Sequence, residues 1–151
     1  MAGTFTQLYI HIIFAVKFRR RLIKSDIRED IERFICGIVR YRNHKVYSIY
    51  AMPDHIHILV RMKPNQSVSD LVREIKSNSS AFINSNRLSY ERFSWQGGYS
   101  AFAVSDRGVA KVIAYIKNQE DHHRKRSFEE EYIEVLKDHK IEFDERYVFC
   151  R

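Results

Sequence analysis

Segments whose apolar residues repeat at every second position alternate with segments that repeat at helical spacing. Their order, β-α-β-β-α-β, predicts an α+β protein of the ferredoxin-like, split β-α-β kind. Three observations carry this prediction: strict alternation from Leu8 to Phe18, two short strand-like runs separated by Pro53-Asp54, and an amphipathic helix on either side of that pair. The sheet is expected to be antiparallel with helices on one face, and further helices follow the last strand.

The first strand is expected over Leu8 to Phe18, where Leu8, Ile10, Ile12, Phe14, Val16 and Phe18 occupy every even position. Asp26 with Glu29 has the spacing of a capping box, and Ile27, Ile31, Phe34, Ile35, Ile38 and Val39 then predict a helix to about Arg42. Lys45 to Met52 and His55 to Met62 read as a hairpin, because proline presets its dihedral and aspartate bonds locally in the intervening turn. Ser67 caps a second helix marked by Val68, Leu71, Val72, Ile75, Ser79, Phe82 and Ile83. Trp95-Gln96-Gly97-Gly98 forms a turn into a fourth strand from Tyr99 to Val104. Val109, Val112, Ile113 and Ile116 mark a third helix that runs on past Gln119, and Ser127 with Glu130 caps a fourth through about His139.

A chain of 151 residues with 44% hydrophobic and 30% charged residues has the profile of one globular domain, taken here as 1–151. The longest apolar stretch, near Tyr9 to Phe18, is broken by His11 and Lys17, so no membrane span or signal peptide is expected. Cys36 and Cys150 lack metal-site spacing and suggest a reducing compartment, the cytoplasm. A net charge of +7 suits an anionic partner, nucleic acid being the commonest, although a solvated basic surface gives the same number.

His55-Ile56-His57 lies in the third strand, where alternation places both imidazoles on one face. Two converging imidazoles suit one metal ion; two polar residues on a solvent face would give the same pattern. Tyr115 and Gln119, four residues apart beside the apolar stripe of the third helix, can look toward that sheet, with His122 and His123 one turn later. Most tyrosines are packing residues, but two strand histidines, a helix amide and a helix phenol together supply metal ligands and a nucleophile. That set suits phosphoryl transfer on DNA: a divalent cation polarises a phosphate oxygen while tyrosine attacks phosphorus and forms a phosphotyrosine. Lys111, one turn before Tyr115, is the candidate for assisting ionisation of the phenol. His11 is read as an ordinary strand residue.

Arg19, Arg20 and Arg21, Arg73 and Lys76, and Arg124 are candidate phosphate contacts, together with Lys111. Trp95 is the best candidate among the aromatic residues for stacking on an unpaired base.

Three motifs in this order, His55-Ile56-His57, Trp95-Gln96-x-Gly98-Tyr99 and Tyr115-Ile116-x-Asn118-Gln119-x-x-His122-His123, resemble the HUH single-tyrosine transposases of the insertion sequence 200/605 group. The likeness runs from Phe5-Thr6-Gln7 to Asp144-Glu145-Arg146-Tyr147, and the helix motif lacks the Asn-Pro version of the transposases associated with repetitive palindromes. The resemblance implies that His55, His57 and Gln119 bind magnesium or manganese, with no nucleotide cofactor. It implies that Tyr115 becomes joined to the 5′ phosphate at the cut, leaving a free 3′ hydroxyl. It further implies a homodimer acting on single-stranded DNA with hairpins at the element ends. The competing expectation is a non-catalytic single-stranded nucleic-acid-binding module on the same scaffold.

Overall fold

The computed structural model describes residues 3–143, except the side chains of 123–125. Its strands are β1 (Leu8–Ala15), β2 (Lys45–Ala51), β3 (His55–Met62) and β4 (Ser100–Val104). Its helices are α1 (Ser25–Tyr41), α2 (Val68–Ser85), α3 (Val109–Lys117), α4 (Gln119–Lys125) and α5 (Phe128–Asp138). The strands form one antiparallel sheet in the order β2-β3-β1-β4. This is the arrangement expected of a split β-α-β fold, with β3 inserted between β1 and β2.

The even residues of β1, Ile12 and Phe14, meet Ile31 and Ile35 of α1 and Leu71 and Ile75 of α2 in the main core. Each such side chain contributes about 1.5–3 kcal/mol when fully buried. The second face of the sheet is covered as well. Tyr9 and Leu59 pack with Ile116 of α3, while Ile13, Ala15 and Phe102 pack with Phe128 and Leu136 of α5. Helices therefore cover both faces: α1 and α2 on one, the C-terminal helices on the other. Every residue of β3 but Arg61 is buried, as befits a central strand sealed on both sides.

Several local details differ from the sequence expectation. Strand β1 stops at Ala15, and Val16 makes one bridge to Trp95. The chain then turns through Lys17–Arg19, with Phe18 and Arg19 at φ 58 and 53. Phe18 is exposed, so its even position continued the alternation by residue type and not by pairing. The Asp26 and Glu29 capping box does not form; α1 begins at Ser25 and Asp26 lies in its first turn, where its charge complements the helix dipole. The third helix is not continuous, because Asn118 (φ −97, ψ 22) breaks it between α3 and α4. Ser67 does cap α2 through Asp70 N at 3.1 Å, and Ser127 caps α5 through Glu130 N at 3.2 Å. Before β4 the turn needs a left-handed residue, supplied by Gly98 at φ 87. The ending motif at 144–147 lies outside the described residues.

Candidate metal centre and nucleophile

Alternation in β3 sends His55 and His57 to the second face of the sheet, under α3 and α5, where both are fully buried. The Nδ1 atom of His55 lies 2.7 Å from Asp54 Oδ1, in the turn that precedes the strand. The Nδ1 atom of His57 lies 2.9 Å from Nε2 of His11, on β1. Both Nε2 atoms face the carboxylate of Glu131, whose Oε1 is 3.8 Å from that of His55 and 3.4 Å from that of His57. The ligand atoms of His55, His57 and Glu131 all lie within 4.8 Å of one another, close enough to share one ion.

Gln119 opens α4 and is fully buried. Its Nε2 donates to the Tyr115 carbonyl at 3.2 Å, while its Oε1 is buried without a hydrogen-bond partner among the described residues. A buried acceptor left so is costly in a closed core and ordinary at a cation site. Two imidazoles and a carboxylate form a donor set compatible with a divalent metal ion, and the Gln119 oxygen is a further candidate donor.

Tyr115 stands beside this cluster. Its ring centroid is 5.8 Å from His57, 6.3 Å from His11 and 4.7 Å from His122, and its hydroxyl donates to Glu131 Oε2. Burial, and next the Glu131 charge, push the phenol above its ordinary value, so it is neutral at rest. Burial and the nearby His57 lower the His11 imidazole to about 3, so it too is neutral.

The structure thus brings together Tyr115, His55, His57 and Gln119, and it adds two residues that the sequence reading left out. His11, expected from sequence to be an ordinary strand residue, contacts His57. Its signal was available: it is the polar residue among Tyr9, Ile13 and Ala15, an odd face as apolar as the even one. Glu131 was hidden in the acidic run Glu129-Glu130-Glu131 at the start of a capped helix. Its signal is also local, since with Phe128, Tyr132 and Val135 it falls on one face of α5.

Other predicted residues fall elsewhere. Trp95 is not an open stacking platform: its ring packs edge-on against Phe14 and Phe93, each at 4.8 Å, and its indole N–H donates to Ser79 Oγ at 2.9 Å. Lys76 is turned inward, donating to the carbonyls of Gln96 and Gly98 at 2.8 and 2.6 Å. Lys111 is exposed. Arg19 pairs with Glu129 at 2.8 Å, Arg20 with Glu91 at 2.9 Å and Arg73 with Asp70 at 2.9 Å, while Arg21 is exposed. The Arg124 side chain lies outside the described residues.

A family model described as "Transposase IS200 like" matches residues 4–119. The ISDra2 transposase TnpA of Deinococcus radiodurans is 27% identical over 124 residues, covering 79% of this chain and 89% of that protein. The transposase for insertion sequence element IS200 of Salmonella typhimurium is 28% identical over 120 residues, 72% of this chain and 74% of its own. A crystal structure of a candidate transposase from Deinococcus radiodurans aligns with TM-score 0.62 at 22% identity, over 79% of this chain and 95% of the other. A REP-associated tyrosine transposase bound to a REP hairpin aligns with TM-score 0.61 at 15% identity, over 82% and 73%. At these identities the structures support the fold. The family match ends at Gln119, so Glu131 lies beyond it.

Proposed function

The chain belongs to the IS200-like transposase family, and from that premise we propose that it cuts and rejoins single-stranded DNA at the ends of an insertion sequence, with Tyr115 as nucleophile. One observation carries this reading: the Tyr115 hydroxyl meets Glu131, whose carboxylate shares one buried place with His55 and His57, while the buried Gln119 lies one turn after Tyr115.

His55, His57, the Gln119 oxygen and Glu131 would hold a magnesium or manganese ion. When bound, such an ion supplies positive charge that polarises a non-bridging phosphate oxygen and orients the ester. The step that follows from the chain's own residues is a displacement at phosphorus. The Tyr115 oxygen forms the new P–O bond, and its proton passes to the Glu131 oxygen that already accepts it. The P–O3′ bond breaks, and the departing 3′ oxygen takes a proton from solvent to become a hydroxyl. The product is a 5′-phosphotyrosine that keeps the ester's energy, so a 3′ hydroxyl attacking it rejoins the strand without a nucleotide cofactor.

A relative of this fold binds a hairpin, and this chain carries a net charge of +7 with Arg21 exposed; we take a DNA hairpin at the element ends as the partner. Within one chain Tyr115 of α3 lies beside the chain's own His57, the ring centroids 5.8 Å apart. A homodimer would handle the two ends together. No helix among the described residues is long and apolar enough to cross a membrane, and the cytoplasm, where the DNA is, is the proposed compartment.

The test is a denaturing gel of the chain incubated with hairpin-containing single strands from its flanking DNA, with and without manganese. A covalent adduct that needs the metal and is lost in Tyr115→Phe is expected. Tight hairpin binding with no adduct would favour the non-catalytic binding module.

A further inference from the structure

Two of the ligands proposed above are imidazoles, and a neutral imidazole carries its one proton on either nitrogen. The nitrogen that faces a metal must be bare, which obliges the other to carry the proton and find an acceptor. For His55 the acceptor is evident: Nδ1 sits 2.7 Å from the Asp54 carboxylate. For His57 the neighbour of Nδ1 is the second imidazole, His11, whose Nε2 lies 2.9 Å away.

The placement of His11 follows from register. Ile13 of β1 is the partner of His57, and His11 lies two positions further along the same strand, opposite Leu59. It is therefore the diagonal neighbour of His57 on the same face, within reach of an aromatic side chain. The rings lie 5.2 Å apart with an interplanar angle of 32°. Phe102 meets the His11 ring edge-on at 6.4 Å and Tyr115 at 6.3 Å, and the residue is 6% exposed. The bond can run in two directions. If His11 Nε2–H donates, the His57 proton is forced onto Nε2, and an N–H points at the place the ion would take. If His57 Nδ1–H donates, the lone pair of His57 Nε2 points there instead.

We propose that His11 is a positioning residue of this site: its Nε2 accepts from Nδ1–H of His57 and so keeps the His57 Nε2 lone pair directed at the metal, the part that Asp54 plays for His55. The inference rests on the metal-dependent reading above. His11 itself touches neither metal nor DNA in this role.

The first measurement is nitrogen-15 NMR of the imidazoles in the full chain saturated with Mg2+, in which His57 is expected to be protonated at Nδ1 and bare at Nε2. The second is the affinity for Mn2+ alone, read from the electron paramagnetic resonance of free Mn2+. His11→Phe keeps the ring and removes the acceptor, and its Mn2+ affinity should fall by about 10 to 100-fold. His11→Gln presents an amide oxygen near the position of the lost Nε2 and should recover most of that loss, which a residue needed only for packing would not predict. A His57 protonated at Nε2 in a Mg2+-loaded chain overturns the inference, as does a folded His11→Phe with unchanged Mn2+ affinity. If His11→Phe does not fold, the wild-type spectrum still decides. A wild-type chain that binds neither ion overturns the metal reading itself, and this inference with it.

Discussion

The Tyr115 hydroxyl donates a hydrogen bond to Glu131, tying α3 to the buried face of α5 at the edge of the histidine pair. Tyr115 and Glu131 are only 16 positions apart, and both lie beside His57 of β3.

Replacing Glu131 by Gln removes a negative charge that holds the phenol protonated, so the Tyr115 pKa should fall toward its ordinary value of 10.0, although burial, the larger cause, remains. An ultraviolet titration of phenolate, taken as the difference from Tyr115→Phe, reads this directly. The sign extends to stability in the metal-free chain. A folded-state pKa above the unfolded one gives stability that is complete below pH 10.0 and is lost as the pH rises beyond it. That alkaline loss should be smaller in Tyr115→Phe. An unchanged titration in Glu131→Gln would mean that the carboxylate does not govern the nucleophile.

Asp54 should matter to the metal without touching it. It meets Nδ1 of His55, and loss of such an orienting partner lowers metal affinity by about 10 to 100-fold. Isothermal titration of Asp54→Asn with Mn2+ measures the effect, and an affinity equal to the parent's would remove Asp54 from the site.

Trp95 should behave as a core residue. Truncation to Ala leaves a void between Phe14 and Phe93 and should cost about 3–5 kcal/mol in denaturant unfolding. Trp95→Phe, which keeps most of the volume, should bind single-stranded DNA as the parent does. A folded Trp95→Phe with much weaker binding would restore the stacking role expected from sequence.

Arg21 and Lys76 should separate under salt. Arg21 is exposed, and if it meets a phosphate, Arg21→Ala weakens DNA binding uniformly across sequences and lowers the salt slope by about 1. Lys76→Met instead strands the carbonyls of Gln96 and Gly98 and should lower stability by about 1–3 kcal/mol with the salt slope kept. Binding titrations at several salt concentrations, with unfolding curves alongside, test both.

The sequence by itself determined the strand and helix order, the hairpin at Pro53-Asp54, the Ser67 and Ser127 caps, and the shared face of His55 and His57. These are properties of near neighbours: side-chain period, a turn's preferred residues, a cap's first hydrogen bond. It misplaced the end of β1 and joined α3 to α4, because alternation and helical spacing count residue types and register neither the left-handed turn at Phe18 nor the break at Asn118. Only the tertiary structure decided what stands around the histidines. His11 is 46 positions from His57 and meets it through strand pairing, and Glu131 arrives on a helix whose own pattern reads as an acidic first turn. Trp95 and Lys76 were likewise reassigned by packing, since burial depends on which elements close over a residue, and that is set by contacts far apart in the chain.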